Sequence, residues 1–192
     1  MIRKVRSSIS GVTAIEFAIV APVFLILVFA VCDIGQMLYA RALLGGAVED
    51  AARAGTTETV DTDSIDAAVE AAVLPIIPGA VFTFARESYN DFTDVGRAEK
   101  FTDSNSNGTC DNSEAYIDEN GNGQWDADVG KSGNGGADDI VLYSVTATYT
   151  PLIAVPLLPG STRDITISAR AVRKNQPFTT QSSYSTTAGI CS

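Results

Sequence analysis

The 192-residue chain has no histidine, one tryptophan, three cysteines and 13 basic side chains against 23 acidic ones. Without histidine it lacks the commonest general base, the commonest nitrogen ligand for metals and any Ser–His or Cys–His nucleophile pair. Acidic pairs such as Asp138–Asp139 exist, but no nucleophile or base accompanies them at a readable spacing, so no enzyme activity and no small-molecule substrate are expected. The scarcity of positive charge is uneven. Residues 1–11 carry Arg3, Lys4 and Arg6 and no acid, whereas the remaining 181 residues carry ten basic and 23 acidic side chains. So acidic a body repels nucleic acid and anionic lipid and attracts cations.

One long apolar run is present. Residues 12–32 hold a single charge, Glu16, over 21 residues, about 31 Å as a helix and just enough to cross a bilayer. Pro22 falls inside it, which a membrane helix tolerates with a kink. A basic stub ahead of such a run is the charge bias of a segment held in the cytoplasm while the rest is exported.

Three readings of this segment compete. A conventional secretory signal has a shorter apolar region and a small-residue exit, whereas here the run is long and leaves through Asp33-Ile34-Gly35. An uncleaved signal anchor is the second. The third uses Gly11, which directly precedes the run, and Glu16, five residues beyond it. A carboxylate near the membrane edge is costly unless something pairs with it. Cleavage after Gly11 creates an α-amino group on Val12, a cation within reach of a neighbouring subunit's Glu16.

The stretch Ser10-Gly11-Val12-Thr13-Ala14-Ile15-Glu16-Phe17 resembles the prepilin-peptidase site of the tight-adherence pilus system. With Pro22, Asp33-Ile34-Gly35 and Tyr39 it is similar to the TadE family of that system, and residues 169–178 are similar to that family's closing strand. The resemblance covers roughly residues 7–58 and 140–178. It implies processing at Gly11 and Val12 with Glu16 in assembly, a prepilin peptidase and other pilin-like subunits as partners, and a single-pass place in a bacterial inner membrane with the C-terminal domain exported.

Downstream, Ile34, Leu38, Ala42, Ala47, Ala51 and Ala54 recur at helical spacing and are expected to form the packing face of a continuing helix that Gly45-Gly46 weakens. Asp61-Thr62-Asp63 offers an N-cap for a short helix over 64–73 that ends before Pro75. Residues 80–88, 140–149 and 164–172 read as strands. The expected fold is α+β: a long N-terminal transmembrane helix packed on a small antiparallel sheet, with an acidic loop insert. The expected divisions are a cytoplasmic leader over 1–11, the transmembrane and continuing helix over 12–58, an exported domain over 59–178 with its insert at 102–139, and a loose polar tail over 179–192.

The insert carries the chemistry. Asp103, Asn105, Asn107, Thr109, Asp111 and Glu114 stand at positions one, three, five, seven, nine and twelve of a calcium loop, with Gly108 at the sharp turn. Asp118, Asn120, Asn122, Gln124, Asp126 and Asp128 repeat the pattern, but position twelve is Val129, so Asp128 or the Asp138–Asp139 pair is the expected substitute for the missing acid. Three residues separate the loops, too few for two helix-flanked EF-hands, so the insert looks more like the joined calcium loops of dockerins or thrombospondin type 3 repeats. Calcium is therefore the expected cofactor, and a solvated Asn/Gly/Asp turn is the plain alternative. Trp125 is expected to cap a small core beside the loop.

Cys32 falls within the apolar run, which leaves Cys110 and Cys191 as the thiols outside the membrane. A disulfide between them is expected where export permits it; unpaired thiols or pairing with another molecule are the alternatives. The two functions in view are a minor pilin-like component of a tight-adherence pilus system and an uncleaved, anchored, calcium-dependent adhesin or scaffold. Cleavage after Gly11 separates them.

Overall fold

A computed structural model describes residues 9–56, 61–111, 113–151, 164–177, 181 and 183–191, with side chains from residue 13 onward. Residues 1–8, which include the basic leader side chains, and the proline-rich link over 152–163 lie outside the described residues.

The first helix, α1 (Ile9–Ala54), is 46 residues long, about 69 Å at roughly 1.5 Å per residue. It runs without a break through Pro22 and through Gly45-Gly46. Its two halves live in different surroundings. From Thr13 to Val31 its large apolar side chains stand bare, with Phe17 72% and Ile19 70% exposed. From Ala40 onward Ala40, Leu44, Val48, Ala51 and Ala52 are buried. Their spacing of four, four and three places them on one face. The expected stripe is met only in part: Ala51 is buried and Ala47 packs against the core, but Ile34 and Leu38 are more than half exposed and Ala42 and Ala54 are also exposed. The reason is that α1 buries the face that meets its partners, and alanine lies on both faces of this helix.

Those partners are α2 (Thr62–Val73) and the sheet. Asp61 caps α2 by accepting the Asp63 amide at 3.1 Å, and Val69 and Val73 turn inward. The main sheet has the order β3-β1-β4-β5, all antiparallel, from β1 (Val81–Tyr89), β3 (Lys131–Ser132), β4 (Ile140–Tyr149) and β5 (Ile165–Lys174). Alternation in β4 aims Tyr143, Val145, Ala147 and Tyr149 into the core. Pairing runs from Val81 against Thr148 to Tyr89 against Ile140, and from Ile140 against Lys174 to Tyr149 against Ile165. A half-buried polar knot adds direction. Asp66 of α2 accepts from both Arg86 of β1 and the Tyr143 hydroxyl of β4, and the guanidinium lies 4.4 Å from the centre of the Tyr143 ring. The α+β architecture is as the sequence patterning indicates.

The insert is more structured than a loop. β2 (Ala115–Asp118) pairs with β6 (Thr187–Ile190), and Phe101 bridges to Tyr116 on the other side. The polar tail therefore includes an ordered strand rather than a loose end: a short edge segment gains backbone partners across the sheet that its composition does not advertise. Gly189 is needed there because a Cβ would fall within the Tyr116 ring.

Candidate functional site

Two regions carry candidate function: the bare half of α1 and the paired acidic loops. On α1, Glu16 is exposed on the apolar segment, while Gly11 and Val12 lie in the helix with side chains outside the described residues. The most apolar 18-residue stretch is not buried at all. Burying such a surface contributes about 25 cal/mol per Å² of apolar area, so it demands either lipid or other helices. Cys32 is a free, exposed thiol on the same segment.

The acidic loops share one local geometry. In the first, Asp103 accepts the amides of Asn107 (3.1 Å) and Gly108 (2.9 Å), Asn105 accepts the Asn107 amide, and Asn107 accepts the Thr109 amide. The side-chain amides of Asn105 and Asn107 donate to Asp111. In the second, Asp118 accepts from Asn122 (3.1 Å) and Gly123 (2.9 Å), Asn120 from Asn122, and Asn122 from Gln124. Asn120 and Asn122 donate to Asp126. Gly108 and Gly123 hold the sixth position at φ +77° and +83°, a backbone that favours glycine. Thus the two loops share these bonds through the ninth residue, the second adding one from the Gly121 amide to Asp118 at 2.7 Å.

At position twelve they differ in source. Glu114 closes the first loop, its two oxygens accepting the amides of Ser104 at 2.6 Å (position two) and Asp111 at 3.3 Å (position nine). In the second loop the same duty falls to Glu99. It accepts the amides of Glu119 at 2.7 Å (position two) and Asn120 at 2.9 Å with one oxygen, and Asp126 at 3.1 Å (position nine) with the other. Glu99 is 1% exposed. The backbone pairs Glu99 with Asp126 and Val129 with Arg97, which lays the 97–99 segment under the loop. Val129 is fully buried and packs with Tyr89 and Ile140 instead.

Neither expected substitute fills that place. Asp128 accepts from the Tyr89 hydroxyl at 2.9 Å and from the Gly130 amide. Asp139 is buried, with one oxygen accepting the Gly136 amide at 2.6 Å and the other without a hydrogen-bond partner among the described residues. Glu99 was invisible as a ligand candidate because it precedes both loops. Its one sequence signal is an acid in an otherwise ordinary stretch.

Among the described residues, no cluster of three or more His, Cys, Asp or Glu side chains stands ready to hold a metal ion; the loop acids face backbone amides. The first loop carries oxygens at every spaced position of a calcium loop, and the second at all but the twelfth.

Electrostatic support surrounds the second loop. Burial alone pushes the Glu119 carboxyl up, yet its hydrogen bonds to Lys100 (2.7 Å) and Arg97 (2.6 Å) outweigh that and hold it below its ordinary 4.5. Burial, helped by Asp128 and Glu87, pushes the Tyr89 hydroxyl well up, so it stays a donor. Trp125 sits edge-on to Phe101 at 5.2 Å and donates to the Glu99 carbonyl at 3.1 Å, clamping the backbone that presents Glu99.

The first loop is tied instead by a covalent bond. Cys110, its eighth residue, is joined to Cys191 with Cα atoms 5.7 Å apart and 81 positions between them. Cys191 also donates its amide to the Glu114 carbonyl and accepts the Ser113 amide, so the end of β6 is fastened at the residue that closes the loop.

With this geometry in place, comparison with known proteins adds one finding. Residues 11–53 match the family model described as TadE-like protein. The match starts at Gly11 and ends at Arg53, within the N-terminal part of the sequence resemblance, and does not extend to residues 140–178. No curated protein and no solved structure matches the chain.

Proposed function

We propose that the chain is a pilin-like structural component of a tight-adherence pilus assembly system. The TadE-like match over residues 11–53 associates it with that pilus, and the observation that carries the finer reading is the bare, apolar half of α1 with one acid, Glu16, near its start. In this reading α1 spans the bacterial inner membrane once and the domain beyond Asp33 is exported. A prepilin peptidase cuts between Gly11 and Val12, and the freed amino group pairs with Glu16 of a neighbouring pilin-like subunit. The role is structural, with no reaction of its own. Mass spectrometry of membrane-extracted protein tests it: the mature chain is expected to begin at Val12. A chain that begins at Met1 turns the reading to its rival, an uncleaved, anchored, calcium-dependent adhesin or scaffold.

The insert adds calcium to either reading. Duplicated loop geometry supports two sites, with Glu114 closing one and Glu99 the other. Bound calcium would neutralise a segment rich in acids, and extracellular modules of this class bind at about 10⁻⁴ to 10⁻³ M. Binding of this kind orders a domain only where the cation exceeds its dissociation constant.

A further inference from the structure

The two ends of the exported domain differ in charge, and the one poorer in charge lies beside the point where α1 leaves its apolar run. α2 begins next to the far end of α1, where Ile65 approaches Gly55. It finishes next to the near end, where the Gln36 side-chain amide donates to the Ile76 carbonyl at 2.6 Å. The chain then bends at residues 74–80 and climbs away as β1, so this bend is the turning point of the domain nearest the apolar half of α1. β4 descends to the same level, since Val81 pairs with Thr148; burial, helped by Asp33 and opposed by Arg41, raises the Tyr149 hydroxyl there. Asp33, Gln36, Ile76, Val81 and Tyr149 therefore share one pole.

Among the described residues that pole is mostly apolar, with Asp33, Arg41 and Asp164 as its charges. From Ala71 to Ala85 there is no charged residue. Within this stretch Pro75, Pro78 and Gly79 are exposed and Val81 is 69% exposed. Asp164, exposed and hydrogen-bonded to Thr150 at 2.8 Å, marks the outer rim. The acids of the insert lie at the opposite end of β1, beyond Tyr89.

Heights along α1 decide what covers this surface. Asp33 is the first charge after the apolar run, and Gln36 lies three residues farther, about 4.5 Å at roughly 1.5 Å per residue. The headgroup layer on each side of a bilayer is about 5–7 Å deep, the difference between total and hydrocarbon thickness shared by two leaflets. The bend at Ile76 thus falls within that layer.

We infer that the bend from Pro75 to Val81 rests in the headgroup layer of the bilayer that α1 spans, so that the domain is seated on the membrane by an apolar foot rather than held off it on a stalk. The inference rests on the membrane-spanning reading of α1. Continuity with that helix picks lipid over other occupants. The lack of charge along residues 71–85 lets a body that is otherwise repelled by anionic lipid touch it along the bend, with Asp33 and Asp164 at the level of the polar headgroups. Seating also fixes the height and orientation of the acidic loops, which then face away from the membrane.

Depth-dependent quenching in vesicles tests this. The full-length chain is reconstituted in phosphatidylcholine/phosphatidylglycerol vesicles whose acyl chains carry bromine either near the carbonyl or near the terminal methyl. Three exposed positions receive a tryptophan, Val81→Trp, Val20→Trp and Phe92→Trp, and the signal of native Trp125 is subtracted. Emission from Val81→Trp is expected to fall about twofold with shallow bromines, as for an interfacial aromatic, while Phe92→Trp is unaffected. Quenching of Val20→Trp checks the span independently. If Val20→Trp is quenched and Val81→Trp is not, the foot is refuted while the span stands; blue-shifted but unquenched emission from Val81→Trp also refutes it, by placing a second protein copy there. If Val20→Trp escapes quenching, the span itself is refuted and the foot with it.

Discussion

The two acidic loops are near copies in sequence and in hydrogen bonding through their ninth residue, and they part at the twelfth. The first closes on its own Glu114 and is fastened by a disulfide from the C-terminal strand. The second closes on Glu99, delivered from outside by backbone pairing with 126–129, and is steadied by ion pairs and a tryptophan. A loop motif is therefore a statement about which groups converge, and convergence is achieved along the chain in one case and across space in the other. The surroundings differ as a result. The first loop is exposed and covalently held, whereas the second lies against the small core of Tyr89, Val129 and Ile140.

The largest effect expected from breaking this comparison comes from the disulfide. Closing 81 residues is worth about 4.5 kcal/mol in the chain-entropy account. Reduction, or Cys191→Ser, is expected to lower the melting temperature of the exported domain and to raise amide exchange at 103–114 and 187–190. Exchange at 118–129 should change far less; equal loosening of both loops would show that they are one unit.

Next comes the pair of closing acids. Glu99→Ala strands three backbone amides around a fully buried site, a loss of about 3 kcal/mol. Glu114→Ala strands two, in a more open loop, and about 2 kcal/mol is expected. Chemical denaturation in chelator reads both. If Glu99→Ala proves the milder change, the equivalence of the two acids fails.

Calcium sharpens the comparison further. At about 10 mM the stabilisation expected of a site with a dissociation constant of 10⁻⁴ to 10⁻³ M is roughly 1.4–2.7 kcal/mol. Because Trp125 contacts the Glu99 backbone, its fluorescence should report the second loop, and Glu99→Ala should abolish that response while Glu114→Ala spares it. Absence of any change in fluorescence or melting at this concentration would leave a solvated turn as the better description of the insert.

The smallest effect is acid sensitivity at the second loop. The folded-state value of Glu119 is depressed, so its contribution is complete above its ordinary 4.5 and is lost as pH falls through the folded value. Lys100→Met removes one of the two cations responsible, and the variant is expected to lose stability less steeply than the parent between pH 5 and about pH 3 in thermal melts. An unchanged slope would assign the acid response to other carboxylates.

Local composition made much of this legible. The run over 12–32, the cap at Asp61, the three long strands and both Asp/Asn/Gly loops announce themselves through period, propensity and spacing. Three things did not. The buried stripe of α1 keeps the expected Ala47 and Ala51 but runs through Ala40, Leu44 and Val48 rather than Ile34, Leu38 and Ala42, because an alanine-rich helix offers several plausible faces and only the partner selects one. The strand Thr187–Ile190 hides in a polar tail because its order depends on β2 and on Cys110. Glu99 hides because nothing in a one-dimensional spacing rule points backwards past the extended segment 100–102 that pairs with β2.

By itself, then, the sequence determined the elements and the chemical types: a helix long and apolar enough to need a membrane or other helices, strands that alternate, and oxygen-rich loops suited to a hard cation. Those follow from properties each residue carries with it, such as hydropathy, backbone preference and charge. Tertiary structure decided which acid closes the second loop, which face of α1 is covered, and which pole of the domain, the one poorer in charge, lies beside the emerging helix. These depend on segments distant in sequence meeting at a definite register, and a register is set by the joint packing of all its members rather than by any one of them.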